Sequence, residues 1–362
     1  MSIGKQIVGL LCRRVSAWVV LACSLALTYA AWHLSSQAVH REARLRFQSR
    51  AEDVRAAISL RILVDRHALE GGAALFETVE SISRVQFRNY AKKLRLTQEY
   101  PGIRGIGFIL SVPAGQLDRH IAAVRKEGFP DYRVFPECKR DQYFPVVYNE
   151  PLEGANLSLL GFDMRTEATR REALDHARDT GEARISGIVR LVGETEQAAA
   201  LGFVMYIPVY AKGQAVLTVE QRRQALVGFV FSTFRVNELM KGVLGANLLG
   251  VRFRVFDGDI ADPALLLYGG DAAAGGPAGT TPGADGPPLH SGTLHVKHGG
   301  RRWMLQFESL GKAMGDEELQ PAMVAAAGLT VDLLLFWMVA SLATIAGRAT
   351  ELAETLGRCF RR

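Results

Sequence analysis

Catalytic signatures are missing from this chain of 362 residues. HExxH, GxxxxGK[ST] and GxSxG do not occur, which removes the zincin helix, the phosphate-binding loop and the nucleophile elbow. Cysteine is scarce. Cys12 and Cys23 lie in or beside an apolar run and Cys359 lies near the end of the chain, so Cys138 is alone in the long middle. An intramolecular disulfide there is excluded, whatever the compartment. His295 and His298 flank Lys297 without the spacing or companions of a metal site. Asp and Glu are scattered, and no pair stands out as an acid/base couple. The sequence therefore assigns no catalytic residue, no metal ligand and no cofactor.

What the chain does have is two long apolar runs near its ends. Residues 15–34 (VSAWVVLACSLALTYAAWHL) carry no acid or base before His33, and residues 322–347 are broken only by Asp332. Each is long enough to cross a hydrocarbon core. Lys5, Arg13 and Arg14 precede the first run, and Arg348, Arg358, Arg361 and Arg362 follow the second. Positive charge beside membrane ends favours the cytoplasmic side. Both tails are thus expected in the cytoplasm, with residues 35–321 outside. An uncleaved anchor is expected over a cleaved signal peptide, because the apolar core is long and no small-x-small cleavage site precedes the next helix. The seven tail cations account for most of the net +6, leaving the outer part at about +2. Nucleic-acid binding is not implied, and the membrane lipid is the expected surface partner. Asp332 is a lone acid well inside the second run, where a partner in the other span, a dimer mate or protonation would relieve it. Thr330 and Ser341 offer hydrogen bonds at helix contacts.

Between the runs, residues 35–98 read as a helical stalk with apolar residues at three and four (Val54, Ile58, Ile62, Leu69). Gly71-Gly72 predicts a break. Residues 103–112 are a β-type run, residues 115–127 look helical, and residues 166–180 are a helix stopped by Gly181. Strands follow over 183–192, 202–210 and 226–233. A helix over 236–244 and strands over 250–257, 265–268, 294–296 and 303–308 form a second, smaller sheet. Residues 269–292, rich in Gly, Pro and Ala, read as a flexible loop. The fold class is α+β: a long N-terminal stalk helix plus tandem PAS-like α/β modules, flanked by two transmembrane helices. The expected domains are tails at 1–14 and 348–362, spans at 15–34 and 322–347, a stalk at 35–98, a membrane-distal module at 99–215 and a membrane-proximal module at 216–321.

Six pieces of the outer region then match one family in order. They are residues 87–94 (FRNYAKKL), 100–108 (YPGIRGIGF), 144–147 (FPVV), 160–163 (LGFD), 177–183 (ARDTGEA) and 202–210 (GFVMYIPVY). Over about residues 60–310 the chain resembles the CHASE domain, the extracytoplasmic sensor of bacterial receptors and plant cytokinin receptor kinases. The resemblance implies a stalk helix, two PAS-like modules and a ligand in the membrane-distal one. In cytokinin-binding members an aspartate on the helix before the turn hydrogen-bonds the adenine ring. The aligned position here is Arg170. Arginine accepts no hydrogen bond and prefers carboxylate or phosphate, so a small anion fits better than an adenine-type ligand. The other positions aligned with the family pocket are Ser186, Val192, Met205 and Tyr206.

Each has a plainer reading. Arg170 and Arg171 suit a solvated helix face. Met205 and Tyr206 alternate on a strand, so one of the two faces the cavity. Asp163 suits a cap for the helix that begins near Thr166.

The reading that follows is a receptor input module. It binds a small extracytoplasmic molecule, forms a homodimer, and signals across a bacterial inner (plasma) membrane to a cytoplasmic effector of histidine kinase or diguanylate cyclase type. Fifteen residues after the second span cannot fold into such an effector, which is expected on another chain or beyond the end of this one. The alternatives are an anchored scaffold that docks a partner protein and an anchored enzyme. A closed pocket lined by residues 160–210 would fit the sensor, and a filled core there would fit the scaffold.

Overall fold

The computed structural model describes residues 3–79, 81–193, 201–244, 251–269, 290–309 and 319–359. It divides into two compact units, residues 1–47 with 311–362, and residues 48–310. Helix α1 (Ile3–Thr78) contributes to both, and α8 (Leu319–Cys359) belongs to the first. Both helices are long and apolar enough to cross a membrane.

In the first unit α1 and α8 touch through small and polar residues. Thr28 Oγ1 donates to Asp332 Oδ2 at 2.9 Å, and Asp332 is 3% exposed. Gly328, one turn earlier on α8, lies so close that a Cβ there would collide with the Thr28 side chain. Trp18 packs against Phe336 with ring centroids 5.2 Å apart. A small residue that lets two backbones approach, next to a polar pair, is how apolar helices associate without a hydrophobic drive. Asp332 thus has a named partner on α1, whereas the Thr330 hydroxyl bonds Ala326 O of its own helix.

The second unit holds the remaining elements. After α1 come α2 (Arg84–Leu94), α3 (Leu96–Glu99), β1 (Ile103–Leu110), β2 (Val112–Pro113), α4 (Leu117–Lys126), β3 (Gln142–Tyr143) and β4 (Val146–Glu150). Then follow α5 (Ala168–Thr180), β5 (Arg184–Ile185), β6 (Val189–Arg190), β7 (Leu201–Tyr210), α6 (Val219–Ala225) and β8 (Leu226–Arg235). Helix α7 (Val236–Leu244) leads to β9 (Val251–Asp257), β10 (Leu266–Gly269), β11 (Ser291–His298) and β12 (Arg301–Ser309). The main sheet runs β4-β1-β8-β7-β5, with β6 also on β7, and every pair is antiparallel. Counted by appearance, with β5 and β6 taken as one interrupted strand, that order is second, first, fifth, fourth, third, the PAS-like order. Among the described residues the smaller sheet, β10-β9-β12-β11, repeats it without the third strand. Two PAS-like sheets in tandem are what the pattern of apolar runs predicted. Most of the expected flexible loop lies at 270–289, outside the described residues.

The stalk stripe is buried as its spacing requires: Val54, Ile58, Ile62 and Leu69 are all at most 5% exposed. The expected break at Gly71-Gly72 is absent, and α1 runs on to Thr78. Packing explains this. A Cβ at Gly71 would sit 3.0 Å from Tyr90 Oη, and one at Gly72 would sit 3.3 Å from Val230 Cγ1. The glycines admit neighbours, and tertiary contact outweighs their poor helix propensity. The chain breaks later, before Ser83, whose capping box with Gln86 starts α2. Phe76, near the end of α1, stacks on Phe108 of β1 at 3.9 Å.

Asp65 falls in the same buried stripe and is fully buried, with Arg61 Nη2 at 3.0 Å from its Oδ1. Arg61 also donates to Glu99 O at 3.0 Å and lies over the Tyr100 ring, which ties the stalk to the turn before β1. Burial pushes the Asp65 carboxyl up to about 7, and the charge of Arg61 opposes this without cancelling it. A carboxyl whose folded value exceeds its ordinary 3.8 favours folding fully at low pH, and that contribution is lost as pH rises through about 7. The denaturation midpoint of the full chain in detergent should therefore fall between pH 5 and pH 8. Asp65→Asn should flatten that slope, and an unchanged slope would show that Asp65 does not titrate there.

Candidate functional site

Helix α5 presents Arg170, Ala173, Leu174 and Ala177 on one face, spaced at three and four, and all four are buried. Gly181 ends the helix in the left-handed region (φ 77°), and its N–H bonds Ala177 O at 2.9 Å. That face meets Val204 and Tyr206 of β7 and Phe229 and Phe231 of β8 in one apolar cluster. Arg171, one position on, points to solvent. The charged pair on this helix is thus split between the two environments.

The Arg170 guanidinium lies inside the cluster, 1% exposed. Nε donates to Glu167 Oε2 at 2.6 Å, Nη2 donates to Arg190 O at 2.9 Å, and Nη1 approaches Met164 Sδ at 3.7 Å. The Phe162 ring stands 5.7 Å from its Cζ. Tyr206 Oη also reaches Met164 Sδ, at 3.9 Å. Burial pushes the Tyr206 phenol up to about 12, and the positive charge of Arg170 works against that shift. A buried charge needs a counter-ion and full hydrogen bonding. Glu167 and the Arg190 carbonyl supply both.

Ser186 is buried opposite Val204. Its Oγ accepts from Val204 N at 3.0 Å and donates to Gly187 O at 2.8 Å, so the hydroxyl is occupied by backbone. Val192 packs half-buried against the same cluster, and its carbonyl accepts from Arg104 at 3.1 Å. Met205 is buried, but strand alternation turns it to the opposite face of the sheet from Val204 and Tyr206. The structure therefore gathers Arg170, Tyr206, Ser186 and Val192 on one side and leaves Met205 on the other. Glu167 and Met164 join them without having been singled out in the sequence. Glu167 stands three residues before Arg170, a readable ion-pair spacing. Nothing in the sequence marks the Arg190 carbonyl.

Asp163 does not cap α5. The N-cap is Glu167, and no side-chain bond closes that end. The Asp163 carboxylate instead accepts from Phe144 N at 3.2 Å, Arg165 N at 3.0 Å and Arg140 Nη1 at 2.6 Å, with no exposure. It pins the loop that carries Phe162 and Met164 to the edge of β4.

Between α5 and the sheet the Arg170, Met164, Tyr206 and Phe144 side chains are all buried, at most 1% exposed. A cleft of about 750 Å³ lies elsewhere, between α1 (Arg66, Glu70, Glu77), the end of α5 (Thr180, Gly181) and the β11–β12 turn (Gly299, Gly300). A smaller one of about 280 Å³ is lined by Lys92, Arg95, Glu150 and Pro151 among others. Among the described residues no cluster of His, Cys, Asp and Glu has the geometry of a metal site.

The model of the CHASE domain matches residues 80–268, just over half of the chain, and the chain belongs to that family. CHASE domains are extracytoplasmic sensors of membrane receptors, so this region is a ligand-sensing input module. Among curated proteins the chain is 27% identical over 190 residues to hybrid signal transduction histidine kinase A of Dictyostelium discoideum, covering 48% of this chain and 9% of that one. It is 26% identical over 270 residues to "Probable histidine kinase 6" of Oryza sativa subsp. japonica, covering 70% of this chain and 26% of that one. The chain thus spans about a quarter or less of these relatives. Among solved structures it is similar to two ligand-binding domains of Pseudomonas aeruginosa PAO1 amino-acid chemoreceptors. One is PctC in complex with GABA (TM-score 0.38, 14% identity, covering 69% of this chain and 93% of that one). The other is PctB in complex with L-Arg (TM-score 0.41, 12% identity, covering 77% of this chain and 98% of that one).

Asp163→Ala would strand Arg140 and two backbone amides beside a buried loop. Breaking a buried pair by removing one partner costs about 3–5 kcal/mol. Denaturant unfolding of the full chain in detergent should show a loss of that order, and a loss below about 1 kcal/mol would mean the carboxylate does not hold the loop.

Proposed function

We infer that the chain is a two-span receptor input module whose outer unit recognises a small molecule bearing a carboxylate. The observation that carries this is the buried guanidinium of Arg170. Its carboxylate partner, Glu167, has a side chain 42% exposed, while Arg170 itself is 1% exposed. A ligand carboxylate entering beside Glu167 would meet a positive charge already desolvated and fixed in direction, where charge-assisted bonds are strongest. Tyr206 offers a phenol that stays protonated across the physiological range and can donate a further bond. Ser186 and Val192 complete the wall, and Met205 is not part of it. A purine fits poorly, since Arg170 has no acceptor to offer.

The positive residues at both chain ends support cytoplasmic tails, with residues 35–321 on the outer side of a plasma membrane. The same division gives a stalk, a distal module and a proximal module, with the distal one extended from the expected limit at 215 to the end of β8, because β8 pairs with β1 and β7. Leu60 and Val64, four apart on α1 and both exposed, support a homodimer with the stalks in contact. Both curated relatives carry histidine kinase in their names, which supports a kinase-type effector as the recipient of the signal. The burial of Arg170 and the side chains around it supports a second reading, in which the outer unit docks a partner protein by its surface.

A thermal-shift screen of the full chain in lipid nanodiscs against organic acids, amino acids and purines tests the first reading. A carboxylate should raise the unfolding midpoint of wild type. Arg170→Ala should weaken its binding by at least tenfold, and Arg170→Lys should retain part of it. Unchanged affinity in Arg170→Ala removes that residue from the site. Stabilisation by purines alone overturns the anionic class.

A further inference from the structure

The segment after α5 is held from two sides. On one side β5 pairs with β7, and Ser186 N donates to Val204 O at 2.8 Å. On the other side lies the tip of the β11–β12 hairpin from the smaller sheet. Ile185 N points away from β7 and donates to Gly299 O at 2.9 Å. This bond covers an edge-strand amide that would otherwise face outward. Gly187 lies close to the ion pair of Asp257 and Arg301, and a Cβ there would sit 3.4 Å from each side chain. Arg301 Nε donates to Asp257 Oδ1 at 3.0 Å, and Asp257 is buried. Further along, Trp303 of β12 packs on Phe203 of β7 with ring centroids 5.1 Å apart.

The hairpin turn is two residues long, between the paired His298 and Arg301. Gly299 and Gly300 have φ 50° and 69°, as a type I′ turn requires. Such a turn takes Asn-Gly as readily as Gly-Gly, so the turn alone does not demand glycine at 299. Its neighbour does. A Cβ at Gly299 would come within 2.6 Å of Ile185 Cγ1 and 2.9 Å of Ile185 N, and one at Gly300 would fall within the Arg184 guanidinium.

We propose that Gly299 and Gly300 form a positioning latch, which clamps β5 and through it sets the pose of α5 and Arg170. Three residues separate the end of α5 from β5, so a displaced α5 pulls on β5 directly. The bond to Gly299 O and the contact at Gly187 pass that displacement into β12, the last described strand before α8 in the chain. The latch gives the sensor reading a specific mechanical path and rests on that reading for its purpose. Its existence is measured without ligand, so failure of the ligand assignment and failure of the latch remain distinct results.

The test is hydrogen–deuterium exchange of the full chain in lipid nanodiscs, comparing wild type with Gly299→Asn, which keeps the turn and adds a side chain against Ile185. Exchange at 184–187 and across 168–180 should rise at least tenfold, while 291–309 stays within twofold of wild type. Unchanged exchange across 168–180 overturns the proposal. If 291–309 also exchanges faster, Gly300→Asn alone and together with Arg184→Ala decides. Recovery of 168–180 in the double variant supports the latch, because Arg184→Ala makes room at β5 and does nothing for the turn. No recovery removes it.

Discussion

Register between β7 and β8 is the constraint on which the site depends. Nine pairs from Gly202↔Arg235 to Tyr210↔Leu226 fix it. Side chains alternate along a strand, so a slip of one residue would turn Val204 and Tyr206 away from α5 and bring Met205 in their place. The apolar face of α5 then has nothing of the right shape to cover, and Arg170 loses the Tyr206 phenol near it. The register is well specified because both faces of β7 are buried over eight successive residues, Gly202 to Val209. No polar face exists that a slipped strand could offer to water.

Within that frame Arg170, Asp163 and Asp65, the three least exposed acidic or basic side chains among the described residues of the outer unit, are each accommodated by a different arrangement. Arg170 has a half-exposed carboxylate and a main-chain carbonyl. Asp163 has two main-chain amides and an arginine. Asp65 has one arginine four residues earlier on the same helix, and there burial wins over the ion pair. For Asp65 a single guanidinium in a largely apolar stripe does not offset the cost of burying the charge.

Much of the fold was legible because one period dominated each segment. The stripe of Val54, Ile58, Ile62 and Leu69 reads as helix, and the apolar runs at 103–112 and 202–210 read as strands wherever they fall in a tandem arrangement. Asp65 does not stand out in the sequence because a stripe is recognised by its apolar members. Gly71 and Gly72 misled for the opposite reason: propensity speaks of the isolated helix, and the requirement for room beside Tyr90 and Val230 is set by residues far along the chain. At the site, alternation limited Met205 and Tyr206 to one on the pocket face, and only the β7–β8 pairing tells which. Asp163 reads as a cap because it precedes a helix, yet its bonds go to amides that the loop, not the helix, leaves open. The hydroxyl of Ser186 and the carbonyl of Arg190 were beyond reach, because main-chain partners across strands leave no trace in residue types.

The contact between Thr28 and Asp332 limits how the two apolar helices travel. A hydrogen bond of 2.9 Å survives a few tenths of an ångström of stretch, whereas one residue of helix rise is about 1.5 Å. Sliding α8 lengthwise past α1 by even one residue would break that bond and leave the Asp332 side chain without Thr28 as its partner. Gly328, wedged on the Thr28 side chain one turn away, resists the same shear sterically. Pivoting about this junction leaves both contacts in place. The pair is built as a fulcrum rather than a piston.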